Sequence, residues 1–144
     1  IGRKKADLAK LRKLASYVSG DRAEKLIDDP LFAAQLAALE IELAALEVSV
    51  LRALVGELAP AAVSSLKIQC TECAQRITEL FMLLSARHAL AFPDMNLPNW
   101  QHSLLSTPSY GSLSADAYLF ERAQTIYGGT SEIQRTIIWK SLSR

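Results

Sequence analysis

Asp28-Asp29-Pro30-Leu31-Phe32-Ala33-Ala34-Gln35-Leu36-Ala37-Ala38-Leu39-Glu40-Ile41-Glu42-Leu43-Ala44-Ala45-Leu46-Glu47-Val48-Ser49-Val50 opens a long helix. The acidic pair supplies a cap, and proline is tolerated at the first helical position, where its missing N–H has no acceptor to lose. The pattern runs from Pro30 to about Leu58. Phe32, Leu36, Leu39, Leu43, Leu46 and Val50 alternate at spacings of four and three, which is one face of a helix. A second apolar stripe, Leu31, Ala34, Ala38, Ile41, Ala45 and Val48, lies beside it. Gln35, Glu42 and Ser49 recur every seven positions, with Glu40 and Glu47 next to them, so only a narrow strip can face water. Such a helix belongs inside a bundle or at a subunit interface.

Working outward, Pro60 breaks this helix and starts another that continues to about Ala91, with a seam of Leu66, Cys70, Cys73, Ile77, Leu80 and Leu84. Each helix has near 30 residues, so each spans about 45 Å, and the tight turn between them makes them pack antiparallel. Cys70-x-x-Cys73 lies mid-helix on the seam, without a second pair or a histidine cluster, so it reads as two small buried thiols rather than a redox or zinc site. No metal site is expected.

Upstream, residues 3–19 read as a helix with Leu8, Leu11, Leu14 and Val18 on one stripe, ended by Gly20 and Asp21. A short polar connection from Asp21 to Asp29 follows. The basic run between Arg3 and Lys13 sits in that helical pattern and reads as a solvated face. Downstream, Pro93 to Thr107 is a long loop that Trp100 would anchor, and loops of this length are usually functional or covered by a partner. His88 and His102 have no carboxylate or cysteine at catalytic spacing and read as structural. Ser114 caps a helix containing Ala117, Tyr118, Phe120 and Ala123. A final helix runs from about Ser131 to Leu142, and no strand pattern appears. The expected fold is all-α, an up-down helical bundle with two long antiparallel helices, over one domain covering 1–144.

The composition agrees. Half of the 144 residues are hydrophobic, enough for a core, and the formal charge of +1 gives no field for nucleic acid or a membrane surface. No apolar run approaches the roughly 18 residues that a membrane span requires. No signal peptide is visible, and two cysteines make no secreted-type disulfide framework, so the expected location is cytoplasmic. Ile1 is not a translation start, so further chain is expected upstream.

The chemistry concentrates in Ile126-Tyr127-Gly128-Gly129-Thr130-Ser131-Glu132-Ile133-Gln134-Arg135. Two glycines stop one helix, and Ser131 with Gln134 three positions on fits a capping box for the next. Such a helix start presents free N–H groups and partial positive charge, suited to a phosphate or a polarised carbonyl oxygen. The glycines remove the Cβ atoms that would hold a ligand away from the backbone.

The longer string from Arg122 to Arg135, RAQTIYGGTSEIQR, closely resembles the C-terminal signature of the acyl-CoA dehydrogenase family, without a gap. The order of the preceding elements also fits that family's C-terminal helical domain, so the resemblance covers most of this chain and the last third or so of a family member. It implies FAD as cofactor and an acyl-CoA substrate, oxidised to the trans-2-enoyl-CoA by loss of an α proton to a carboxylate and a β hydride to the flavin. The thioester carbonyl must then be polarised by hydrogen-bond donors, because the α C–H is a weak acid. Carried over by position, Tyr127 and Gly129 would line the acyl-thioester site, and Thr130 and Glu132 would contact FAD. Arg122 would make a structural ion pair. The long helices would build a dimer or tetramer.

Two departures matter. Many members carry the catalytic glutamate between the tyrosine and the following glycine, and that position here is Gly128, which cannot take a proton. No catalytic residue is therefore assigned in this chain. Some active members also have glycine there and place the base on an earlier helix of the same domain, a segment expected before Ile1. Another possibility is a subunit that has lost catalysis and pairs with an active one in a hetero-oligomer. The second departure is Ser85-Ala86-Arg87-His88, where the family often carries a glycine pair that contacts FAD. The chain alone is expected to be inactive. Alternatives from other classes are a helical assembly module, which would not need the glycine-rich turn, and another flavin-dependent member of the wider superfamily, such as an acyl-CoA oxidase or a flavin monooxygenase.

Overall fold

The computed structural model describes residues 1–19, 24–85 and 114–143. Five α-helices occupy them, without a strand among the described residues: α1 (Gly2–Ala15), α2 (Pro30–Leu54), α3 (Pro60–Ser85), α4 (Ser114–Arg122) and α5 (Ser131–Leu142). Short 3-10 segments at Leu26–Asp28 and Ala123–Thr125 bend the chain before α2 and after α4.

The predicted start of α2 is present in detail. Asp29 accepts hydrogen bonds from the N–H groups of Leu31 (2.9 Å) and Phe32 (3.2 Å), and Pro30 begins the helix. Its end falls at Leu54 rather than Leu58. Gly56 adopts φ +77°, and its N–H bonds to the Ala53 carbonyl while the N–H of Glu57 bonds to that of Arg52. This is the left-handed glycine closure that satisfies the last carbonyls of a helix. α1 likewise ends earlier than expected, at Ala15 with Ser16 as cap, and the proposed terminators Gly20 and Asp21 lie outside the described residues.

Helices α2 and α3 are antiparallel, as their seams require. Residues 35–42 of α2 face residues 76–83 of α3, and Leu43, Leu46 and Val50 face Cys70, Cys73 and Ala74. Helix α1 runs antiparallel to α2, with Lys5 paired to Glu47 at 2.9 Å and Arg12 to Glu40 through two bonds of 2.8 and 2.6 Å. Lys4 binds Glu121 on α4. Three of the six cations in this run, Lys4, Lys5 and Arg12, thus pair with acidic residues on neighbouring helices, and all but Lys4 stay exposed, so the run is the expected solvated face with ion pairs along its edges. The core is one cluster of Leu8, Leu11 and Ala15, the α2 stripe from Phe32 to Leu46, and Leu66, Cys73, Ile77, Leu80 and Leu84. Leu11, Leu36 and Ile77 are completely enclosed.

Helix α3 has a second buried face that the apolar seam did not announce. Ser64, Thr71, Thr78 and Ser85 recur every seven residues and are all buried. At its upper end Ser85 and Ser114 place their hydroxyl oxygens 2.7 Å apart, and Thr78 accepts from Arg122 at 3.4 Å. Small side chains let helices approach closely, and α4 descends along this face. Ser114 is the first described residue of α4, and the segment before it lies outside the described residues.

The second stripe of α2 remains open. Leu31, Ile41 and Val48 are 61%, 72% and 58% exposed, and Ala34, Ala38 and Ala45 lie exposed between them. No helix of the described residues is long and apolar enough to cross a membrane. The loop expected at Pro93–Thr107, with Trp100, His88 and His102 and the continuation of α3 to Ala91, lies outside the described residues.

Candidate functional site at the glycine-rich turn

α4 descends antiparallel to α3, and Arg122 locks its end there. The guanidinium reaches Glu79 Oε1 at 3.0 Å and donates to the Gln75 carbonyl at 3.1 Å, while stacking 4.4 Å from the centroid of the Tyr118 ring. This is the structural ion pair expected of it. The chain then tightens into the 3-10 segment, where Thr125 donates its hydroxyl proton to the Arg122 carbonyl at 2.9 Å. The N–H groups of Ile126 and Tyr127 both bond to the Ala123 carbonyl. The α-helix therefore ends several residues before the glycine pair.

Gly128 and Gly129 follow at φ +67° and +85°. Two left-handed residues in succession reverse the chain, and only glycine adopts them without steric cost. A Cβ on Gly128 would meet nothing within 4 Å, whereas one on Gly129 would stand 2.6 Å from Nε2 of Gln134. Gly129 is thus favoured by its left-handed backbone, and a side chain there would also have to displace the flexible end of Gln134.

Thr130, extended at φ −61°, ψ 157°, is the N-cap of α5, and its hydroxyl oxygen accepts from the N–H of Ile133 at 3.2 Å. The capping box predicted from Ser131 and Gln134 is not formed. Both Thr130 and Ser131 are competent caps, and the turn brings Thr130 to the position first, leaving Ser131 as a buried first helical residue. Gln134 packs beneath Gly129 instead of reaching back to a capping N–H.

Glu132 lies fully in solvent at the helix start. Its own backbone N–H and the Thr130 hydroxyl, followed by the positive charges of Arg135 and Lys67, hold its carboxyl below the usual range. The turn therefore brings together an exposed tyrosine ring, two backbones bare of Cβ, a capped helix start and a fixed anion. The N–H of Ser131 has no acceptor within the helix, as for any first-turn donor. No carboxylate stands at Gly128.

One contributor was missed in the sequence. Lys67, in the first turns of α3, donates from Nζ to the Gln124 carbonyl at 2.9 Å, directly before the turn. Its partner lies 57 positions away and is a main-chain oxygen, so no spacing rule points to it. The Cys70–Cys73 pair lies on the α2-facing seam, where it shares a pocket with Leu43, Leu46 and Gln124. Both are free thiols, and burial pushes Cys73 up to about 11.

A helical domain with this turn can be set against known proteins. The family model described as acyl-CoA dehydrogenase, C-terminal domain, matches residues 9–143. The chain belongs to the acyl-CoA dehydrogenase family, and its fold is that of the family's C-terminal domain. It is similar to acyl-CoA dehydrogenase IpdE1 of Mycobacterium tuberculosis (strain ATCC 25618 / H37Rv), with 30% identity over 129 residues, covering 88% of this chain and 30% of that protein. Among solved structures it superimposes on a chain of the ChsE4-ChsE5 complex from Mycobacterium tuberculosis with a TM-score of 0.71. That match has 22% identity, covers 92% of this chain and 32% of the other, and is a likeness of fold. The chain thus spans about a third of the length of these relatives.

Proposed function

We propose that this chain is the C-terminal domain of an acyl-CoA dehydrogenase flavoprotein, and that its Tyr127–Glu132 turn completes a site for FAD and an acyl-CoA thioester built mainly by other domains. The observation that carries this reading is the Gly128–Gly129 pair, left-handed at both residues and leading into a capped helix start, with open space above Gly128. A plain helix stop needs one such glycine. When bound, FAD supplies the acceptor for the β hydride in α,β-dehydrogenation of the thioester.

The residues of the turn suit positioning rather than proton abstraction. Tyr127, half exposed, offers a ring wall for an acyl thioester, and the bare backbone at Gly129 allows close approach. The α5 start contributes positive potential where a carbonyl or flavin oxygen would sit. The Thr130 hydroxyl accepts as the cap and donates toward Glu132, so the contribution of Thr130 toward FAD comes from the neighbouring main chain. Glu132, held as an anion by its local donors, is a poor base and is better suited to accepting a hydrogen bond from FAD. With glycine at 128, the base that removes the α proton must come from outside this turn, either from an earlier helix of the same protein or from a partner subunit.

The second reading, a non-catalytic subunit that pairs with an active one, is favoured by that missing carboxylate. The structural relative being a two-component complex is consistent with it. In both readings the open α2 stripe serves homo- or hetero-oligomer contacts. The test is Tyr127→Ala in the full-length protein. Loss of the ring should weaken acyl-CoA binding by about tenfold, equivalent to roughly 1.4 kcal/mol, with the helical signal retained. Wild-type affinity and turnover would remove the turn from the site.

A further inference from the structure

The glycine-rich turn is poorly held by its own backbone. Among the described residues, no backbone N–H from Gly128 through Thr130 makes a hydrogen bond, and the helical ladder resumes with the N–H of Gln134 on the Thr130 carbonyl at 3.0 Å. Two glycines in sequence are the most pliable link a chain can contain. A turn that must present a tyrosine and a helix start in one place needs an outside tether.

The described part of α3 carries two cations, and they are spent in opposite directions. Arg76 turns to Glu42 on α2 and ties the bundle core. Lys67 turns to the C-terminal layer, where its half-buried stem brings Nζ 2.9 Å from the Gln124 carbonyl. That carbonyl belongs to the 3-10 segment, whose last oxygens gather the negative end of the α4 dipole. On the far side of the glycines, Glu132 feels the same ammonium, after its own N–H, the Thr130 hydroxyl and Arg135. Arg135 extends toward Glu72 at 3.7 Å, a longer and more exposed contact further along α5. Lys67 therefore holds the near end of the reversal, and the far end is tied to α3 through Arg135 and Glu72.

We infer that Lys67 is a positioning residue of the glycine-rich turn, a cationic staple that pins the 3-10 segment after α4 to α3 and so fixes where Tyr127–Glu132 begins. Its consequence for ligands rests on the reading of this turn as the face toward FAD and the thioester. A lysine suits the task because its flexible stem crosses an apolar helix face while its head finds a carbonyl.

The experiment uses the full-length protein with Lys67→Met, which keeps the stem and removes the donor and the charge, and Lys67→Arg, which keeps both. Lys67→Gln is made alongside in case the methionine variant does not fold. Hydrogen exchange of the amides from Ile126 to Ile133 is measured without ligand, and FAD affinity is measured separately by flavin fluorescence. In Lys67→Met the hydrogen-bonded amides that flank the glycines, those of Ile126, Tyr127 and Ile133, should exchange about tenfold faster while those of α2 are unchanged, and FAD should bind about tenfold more weakly. Lys67→Arg should restore both. Turn exchange equal to wild type in Lys67→Met, or an arginine variant as loose as the methionine one, overturns the inference. Faster turn exchange with unaltered FAD affinity supports the staple and overturns the ligand-facing reading of the turn, so the two failures are distinguishable.

Discussion

A Cβ on Gly129 would stand 2.6 Å from Nε2 of Gln134, five residues further along the chain. With the left-handed φ of +85°, this contact gives any Gly129 variant a structural cost, so a defect in one is not by itself evidence of a lost ligand. Gly129→Ala should destabilise the protein by the left-handed strain, roughly 1–2 kcal/mol, plus the displacement of Gln134. Gly128→Ala should cost the strain alone. Denaturant melts in a double-mutant cycle with Gln134→Ala separate the two, with coupling expected at Gly129 and none at Gly128.

Thr130→Val removes the N-cap of α5. It should lower stability by about 1 kcal/mol, whereas Thr130→Ser should hold the wild-type value. Thermal melts of the two variants check this. A ligand effect at Thr130 counts only where Thr130→Ser retains it and a stability-matched control does not lose it.

Burial raises the Cys73 thiol from 9.0 to about 11. The folded state then holds a proton that the unfolded chain releases first. The resulting stability is complete below about pH 9 and is lost as pH rises through about 11. Native Cys73 should resist alkylation at pH 8 and react only on unfolding, measured by mass spectrometry with and without denaturant. Rapid labelling of native protein at pH 8 would contradict the enclosed seam.

Ile41 stands near the middle of the open α2 stripe and is 72% exposed, so Ile41→Glu should leave the fold of the chain intact. In an assembly that buries the stripe, the new carboxylate has no partner, and association should weaken by at least about a hundredfold, some 3 kcal/mol. Sedimentation equilibrium of the full-length protein gives the answer. An unchanged association constant would place the interface elsewhere.

Local chemistry was the most legible part of the sequence. Asp29-Pro30 announced α2 because cap and proline act within three residues of one another. The apolar spacing from Phe32 to Leu46 named the buried face, and the open stripe beside it was expected to need a partner. The end of α2 was misjudged because Gly56 sits in an otherwise apolar and helical pattern, and its left-handed closure depends on main-chain bonds to Ala53 and Arg52. The capping position was missed by one residue, since Thr130 and Ser131 offer the same chemistry. Long-range polar contacts were the least legible. Lys4, Lys5 and Arg12 lie on the solvated face expected of them, but nothing in the sequence pointed to their acidic partners on other helices, and Lys67 reaches a carbonyl, which every residue carries.

The central claim is that the Gly128–Gly129 turn and the start of α5 contact ligand in the full-length protein. Hydrogen exchange at residues 126–133, followed with and without FAD and an unreactive acyl-CoA analogue, tests it directly. The account predicts that ligand slows exchange at Gly129 through Glu132 by about tenfold or more, while the amides of α1 keep their rates. Identical exchange at the turn with both ligands bound would contradict it.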